Sequence, residues 1–239
     1  MSNIAVIFAG GTGKRMNTKS KPKQFLELYG KPILVYTLER FNNHQEIDGI
    51  VLVVLDDWIN YCTDLVEKFR LYKVKAVIPG GDSALQSQFN GLLKANELFG
   101  GDSIVLIHDG VRPLVDDATI SKNIASVKAN GTAITVTPAI ETITVKTETG
   151  EIGEIIERSK IEMARAPQSF WLSDILEAHK RAVVDDMVFI DSASMMQHYG
   201  HTLYSVEGSP ENIKITTPND YYTFRALVDA RENSQIFGI

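Results

Sequence analysis

Ile4-Ala5-Val6-Ile7-Phe8, running directly into Ala9-Gly10-Gly11-Thr12-Gly13-Lys14-Arg15-Met16, is the stretch that decides the architecture. A short apolar, β-branched run ending in glycines reads as a buried strand that turns tightly into a helix. Glycines at such a turn let backbone N–H groups approach phosphate oxygens, and the helix N-terminus that follows favours the anion. The turn alone does not name a ligand, because a tight turn without one has the same composition. Two nucleotide loops are excluded. Met16 stands where G-x-G-x-x-G places its last glycine, and Arg15 follows Lys14 where a P-loop requires Ser or Thr.

Working outward, runs of the same kind recur at 50–55, 74–78, 104–107 and 132–136, with amphipathic segments between them at 33–41, 58–69, 84–98 and 118–128. Strands alternating with helices predict an α/β fold, a doubly wound and mostly parallel sheet covered on both faces. Ser83 followed by Gln86 reads as a capping box. Thr217-Pro218 with Asp220 places proline in the first turn of another helix.

The pattern changes between Pro138 and Ser159. Glu141-Thr142-Ile143-Thr144-Val145-Lys146 alternates like a strand, Thr149-Gly150 supplies a turn, and Ile152–Ile156 leads back. This predicts a β-hairpin arm, 138–159, projecting from a single domain of residues 1–239. Such a two-stranded arm is marginal alone, so a second subunit is its natural support.

Composition narrows the partners. The 239 residues carry a formal net charge of −6 and no long Lys/Arg block, which argues against sequence-independent nucleic-acid binding. Phosphates must therefore be met by a few focused cations. The single cysteine, Cys62, excludes an internal disulfide and a Cys-rich metal site, and it suits a reducing cytoplasm. No apolar stretch approaches the roughly 20 residues needed to span a bilayer, and the N-terminus lacks a basic flank or cleavage pattern. The expectation is a cytoplasmic protein without a membrane partner.

A second motif, Lys21-Pro22-Lys23-Gln24-Phe25, follows the glycine loop. Pro22 restricts its own backbone and that of Lys21, so Lys23 is presented at a defined place. Arg15 and Lys23 can together clamp a triphosphate; either one alone would read as a solvated surface cation.

These two motifs resemble the opening of the methylerythritol-phosphate and ribitol-phosphate cytidylyltransferases, A-[AG]-G-x-G-x-R-M followed by P-K-Q. The resemblance continues in order along the chain. Gly80-Gly81-Asp82, Ser87 and Asn90-Gly91-Leu92 match the base-reading loop and the helix after it. His108-Asp109-Gly110-Val111-Arg112-Pro113, Glu141-Thr142-Ile143, Arg158, Pro167-Gln168-Ser169-Phe170 and Asn212-Ile213-Lys214-Ile215-Thr216-Thr217 match the remaining motifs.

The resemblance implies a Rossmann-like nucleotidyltransferase that uses CTP and Mg²⁺, and a homodimer in which each arm reaches over its partner. It implies catalytic roles for Arg15, Lys23, Arg158 and Lys214. It implies nucleotide binding by Phe8, Ala9, Gly10, Gly11, Thr12, Gly13, Gly80, Gly81, Asp82, Ser87 and Asp109, with Asp109 holding either the metal or the ribose. His108 reads as a packing residue.

Three departures bear on the acceptor. Ala84 replaces a base-loop arginine, and Ala166 replaces the threonine that faces the acceptor phosphate in the methylerythritol enzymes. Arg165, just before it, either compensates or points to solvent. Gly10-Gly11 and the longer spacing from Arg15 to Lys23 resemble the ribitol-phosphate branch, so ribitol 5-phosphate is the expected acceptor and methylerythritol phosphate the alternative.

Overall fold

Strand β1 (Asn3–Ala9) lies in the interior of a seven-stranded sheet, and its side chains divide between two cores. Ala5, Ile7 and Ala9 point to one face and Ile4 and Val6 to the other, as the two-residue period of a strand requires. The computed structural model describes residues 1–11 and 21–237, with side chains through residue 233.

The first face is covered by α1 (Ile33–Asn43), α2 (Ile59–Lys68) and α4 (Asp117–Asn130), through Leu38, Phe41, Leu65 and Ile124. The second is covered by α3 (Ala84–Phe99), α5 (Leu172–Val184) and α6 (Ser192–His198), through Leu92, Ile175 and Met195. With both faces covered, β4 (Gly49–Val54) and β6 (Ile104–Asp109) are buried along their whole length, which explains the apolar runs at 50–54 and 104–107.

The remaining strands of this sheet are β5 (Val74–Pro79), β7 (Thr132–Pro138), β10 (Glu162–Trp171) and β11 (Ser205–Glu207). The order is β11-β7-β10-β6-β1-β4-β5. Five predicted strands and four predicted helices occupy their expected places. The sequence reading did not assign β10, which enters the sheet antiparallel to both β6 and β7. Its alternation is interrupted between Ala164 and Gln168, where the register against β7 shifts.

Between β7 and β10 the chain leaves the sheet as the predicted arm. Among the described residues, strands β8 (Ile143–Lys146) and β9 (Ile152–Ile156) pair antiparallel only with each other. Two further short strands, β2 (Glu27–Leu28) and β3 (Lys31–Pro32), form a small hairpin before α1.

Ser83 caps α3 as expected, its hydroxyl accepting from Gln86 N at 3.0 Å. The reciprocal half of the predicted box is absent, because the Gln86 amide donates instead to Asn90 Oδ1 at 2.9 Å. At α7 (Pro218–Phe237), the Asp220 carboxylate accepts from the backbone N–H groups of Thr216 and Thr217 at 2.8 and 2.7 Å. Helix α7 covers a third apolar cluster that includes Val111, Leu114, Ile215, Phe224 and Val228. That cluster pins the chain after β6 against the segment 212–215.

Gly91 marks the closest approach of α3 to the sheet. A Cβ there would stand 2.6 Å from Val6 Cγ1 and 2.8 Å from Val53 Cγ2, and both valines are fully buried. Alanine in a helix interior ordinarily gains about 1 kcal/mol over glycine, whereas overpacking a close-packed core costs roughly 1–3 kcal/mol. Gly91→Ala is therefore expected to lower stability by about 1 kcal/mol, read as a fall in the urea midpoint at unchanged m-value.

Candidate active site

A cavity of 430 Å³ opens at the carboxyl ends of β1 and β6, where a doubly wound sheet binds its ligand. Gly10 and Gly11 form one wall, the loop 81–84 a second, and Lys23, Asp109 and Lys214 line the rest. A Cβ on Gly10 would face Ser87 Oγ at 3.8 Å, and one on Gly11 would face Lys23 Cε at 4.0 Å. Any side chain at these positions would thus project into the space between the glycine turn, the base loop and Lys23.

Local structure explains how each wall is held. Gln24, almost wholly buried, donates from Nε2 to Ala9 O at 2.6 Å, tying the Lys-Pro-Lys-Gln turn to the end of β1. Ser87 Oγ accepts from Gly81 N at 3.0 Å and donates to Ser83 O at 2.9 Å, folding the loop back on the first turn of α3. At Gly80 and Gly81 an added Cβ would stand 2.7 Å from Ser87 Oγ and 2.2 Å from Gln86 Cγ, so this fold-back needs both glycines.

A second cavity, of 270 Å³, adjoins the first. Phe8, Ala84, Asp109 and Lys214 line both, while Arg112, Arg165, Ala166, Gln168 and Asp191 belong to the second alone. The boundary is an ion-paired group. Asp109 Oδ1 meets Lys214 Nζ at 2.6 Å, and Oδ2 accepts from Arg112 Nε at 2.7 Å. Burial by itself would raise the Asp109 pKa, but Arg112 and then Lys214 more than offset it and hold the carboxyl at about 2.

Next to it, burial pushes the His108 imidazole down to about 4, against the opposing pull of Asp109. Its Nε2 lies 3.2 Å from Arg112 O and its ring packs 5.0 Å from Phe41. His108 is thus a neutral packing residue, as its sequence context suggested.

Of the residues expected at the site, Phe8, Ala9, Gly10, Gly11, Lys23, Gly81, Asp82, Ser87, Asp109 and Lys214 come together around the first cavity, with Gly80 behind Ser87. Thr12, Gly13 and Arg15 lie outside the described residues. Arg158 is not brought to either cavity within the chain. It sits exposed at the root of the arm, donating from Nη1 to Ile140 O at 3.1 Å.

Sequence reasoning assigned no role to Arg112, Gln24 or Asn212. All three stand within the motifs that carry the resemblance, and Arg112 also lies three residues from Asp109. Among the described residues no group of three or more His, Cys, Asp or Glu side chains could hold a metal ion. No described helix is long and apolar enough to cross a membrane.

Comparison with known proteins agrees with this arrangement. The model of the IspD family, 2-C-methyl-D-erythritol 4-phosphate cytidylyltransferase, matches residues 3–230. The ribitol-5-phosphate cytidylyltransferase of Streptococcus agalactiae serotype V is 51% identical over 240 residues, covering 100% of both chains. The 2-C-methyl-D-erythritol 4-phosphate cytidylyltransferase of Clostridium novyi is 39% identical, covering 91% of this chain and 93% of its own. The solved structure of 4-diphosphocytidyl-2C-methyl-D-erythritol synthase from Anaerococcus prevotii superposes with a TM-score of 0.81 at 25% identity, covering 95% and 98% of the two chains.

The buried titratable groups predict two stages of acid destabilisation. His108 and His179 both have folded pKa values lowered from 6.5 to about 4. Between those values the unfolded chain binds protons that the native protein does not, so stability is full above pH 6.5 and falls towards pH 4. Asp109, lowered from 3.8 to about 2, contributes above its unfolded value and loses that contribution between the two. Urea unfolding as a function of pH should resolve both stages, and Asp109→Asn should reduce only the second, to which Asp220, also lowered by its backbone hydrogen bonds, still contributes.

Proposed function

We propose that this chain, which belongs to the 2-C-methyl-D-erythritol 4-phosphate cytidylyltransferase family, transfers CMP from CTP to D-ribitol 5-phosphate and releases pyrophosphate. The observation that carries this reading is the pair of adjoining cavities that share the Asp109–Lys214 boundary. One has a glycine turn and a lysine suited to a triphosphate. The other has cations suited to a phosphate monoester.

An acceptor placed at that boundary presents a phosphate oxygen to the α-phosphorus of CTP. A new P–O bond forms, the bond to the β-phosphate oxygen breaks, and pyrophosphate departs with the electron pair. The nucleophile is already anionic, so positioning and positive charge matter more than a strong base. Lys23 and Arg15 would balance charge on the triphosphate. Lys214, whose side chain is 42% exposed, is free to exchange Asp109 for the incoming phosphate. Gly80, Gly81, Asp82 and Ser87 would bound the cytosine.

The donor set for Mg²⁺ is Asp109, with Asp82 also on the nucleotide side. It suits an ion that takes one or two protein carboxylates and completes its shell with phosphate oxygens and water. Mg²⁺ bound there would neutralise part of the triphosphate charge.

The acceptor rests on relatives and on the second cavity. The Streptococcus agalactiae enzyme named for ribitol 5-phosphate is 51% identical, against 39% for the Clostridium novyi enzyme named for methylerythritol phosphate. Methylerythritol phosphate is the second reading, favoured by the family model itself. Pyrophosphate release should be measured with CTP against both acceptors and other alditol phosphates. The expected result is a clear preference for ribitol 5-phosphate in kcat/KM, with CTP well ahead of ATP and GTP. Turnover of methylerythritol phosphate alone would overturn the acceptor, and turnover of none would overturn the reaction.

The active unit in this reading is a cytoplasmic homodimer. The arm and its root leave Ile140, Ile152 and Ile155 exposed at 76%, 68% and 66%, more apolar surface than an isolated hairpin can carry in water. A two-fold partner would cover both arms and bring each Arg158 to the neighbour's acceptor cavity. Refolding Arg158→Ala with Lys214→Ala subunits, each nearly inactive alone, should recover activity towards about a quarter of wild type. Half of the dimers would then be mixed, each with one intact site.

A further inference from the structure

Arg165 is the charged residue of the second cavity whose position is hardest to explain by packing alone. Strand β10 carries it out of the ladder. Ala164 lies opposite Val136 and Gln168 opposite Ile134, so four steps along β10 match two along β7. A bulge of this kind re-aims side chains next to a site, and here its carbonyls are taken up by side chains from elsewhere. Asn212 Nδ2 donates to Ala166 O at 2.6 Å and Thr135 Oγ1 to Pro167 O at 2.7 Å. Arg165 then reaches inward, with Nε donating to Thr137 Oγ1 at 2.8 Å and Nη1 to Asn212 O at 3.0 Å.

Both partners are neutral oxygens. Among the described residues no carboxylate lies within ion-pair distance of Arg165. Arg112, by contrast, shares Asn212 O as an acceptor and is neutralised by Asp109. The cavity is lined by three cations, Arg112, Arg165 and Lys214, and two carboxylates, Asp109 and Asp191. Asp191 is already engaged, capping α6 and accepting from Gln168. That leaves Asp109 facing three cations, and Arg165 is the one it does not touch. Arg165 is half-buried, and burial followed by the charge of Arg112 lowers its pKa from the usual guanidinium range, a mark of a cation held without a counter-ion. A guanidinium fixed by two neutral acceptors keeps its remaining N–H groups for an anion.

We infer that Arg165 binds the phosphate of the acceptor in the transfer reaction. This rests on the acceptor reading above, because it assigns the second cavity to the acceptor. It resolves the choice left by the sequence: Arg165 is turned into the cavity beside Ala166, and its charge serves where Ala166 offers no polar group. A charge-assisted hydrogen bond of this kind is worth about a tenfold change in affinity or more.

The test compares wild type, Arg165→Gln and Arg165→Lys in steady-state kinetics with CTP and ribitol 5-phosphate, together with thermal melting of each. The glutamine variant should raise the acceptor KM by about tenfold or more and leave the KM for CTP within about twofold. The lysine variant, which keeps the charge, should recover part of the loss. An unchanged acceptor KM would overturn the assignment. So would a loss confined to kcat and melting temperature, which marks a structural role. Titration of inorganic phosphate into CTP-saturated protein separates this inference from the reading beneath it. If wild type fails to use ribitol 5-phosphate, the acceptor reading falls. Weaker phosphate binding by Arg165→Gln would still support Arg165 as the anion contact, and equal binding would overturn it.

Discussion

The carboxylate of Asp109, divided between Arg112 and Lys214, is the interaction on which the site depends. Each oxygen takes one cation, at 2.7 and 2.6 Å, in a position only 6% exposed. A buried charge is tolerated when it is paired and hydrogen-bonded, and losing one partner leaves the others uncompensated. The three residues come from the end of β6, the turn after it and the segment 212–215, distant in sequence. Burial of Val111 and Ile215 beneath α7 brings those segments together, and Ile215 N donates to Val111 O at 2.9 Å. An apolar cluster therefore sets the geometry of the ionic one.

Asn212 extends that constraint to the second cavity. It is fully buried, its side-chain amide holds the bulge of β10, and its carbonyl receives both guanidinium groups. One residue thereby couples the irregular backbone at 164–168 to the placement of Arg112 and Arg165. The irregularity has a function in this arrangement. A regular strand would alternate its side chains between the two packed faces and leave no break at which Arg165 could turn into the cavity.

The two cavities differ in how they are built, in keeping with different tasks. The first cavity is walled by backbone at Gly10, Gly11 and Gly81, with Gly80 behind Ser87, and held by Gln24 and Ser87. Rigid main-chain walls suit a ligand of fixed shape. The second cavity takes its charge from the side chains of Arg112, Arg165, Lys214, Asp109 and Asp191. The chain departs from the methylerythritol pattern on this side, at Ala166 with Arg165 before it.

Much of the fold is legible in the sequence because a strand covered on both faces must be apolar throughout. The runs at 4–8, 50–55 and 104–107 carry that signal, the β-branched runs at 74–78 and 132–136 carry it in part, and the hairpin announces itself by alternation and by Gly150 at its turn. Strand β10 was not legible, since its pattern is broken by the bulge and its direction is set by neighbours far along the chain. Lys23, Asp109 and Lys214 could be named from motifs, because phosphate chemistry requires cations and a strand-end carboxylate whatever their exact placement. What only the tertiary structure decided is which charges neutralise one another. Asp109 is shared between Arg112 and Lys214, Arg165 has only neutral partners among the described residues, and Arg158 is held away from both cavities of its own chain. A sequence specifies how many charges there are and of which sign. Their pairing depends on distances of a few ångströms between segments far apart in sequence, as Asp109 is from Lys214, and those distances exist only once the apolar clusters have packed.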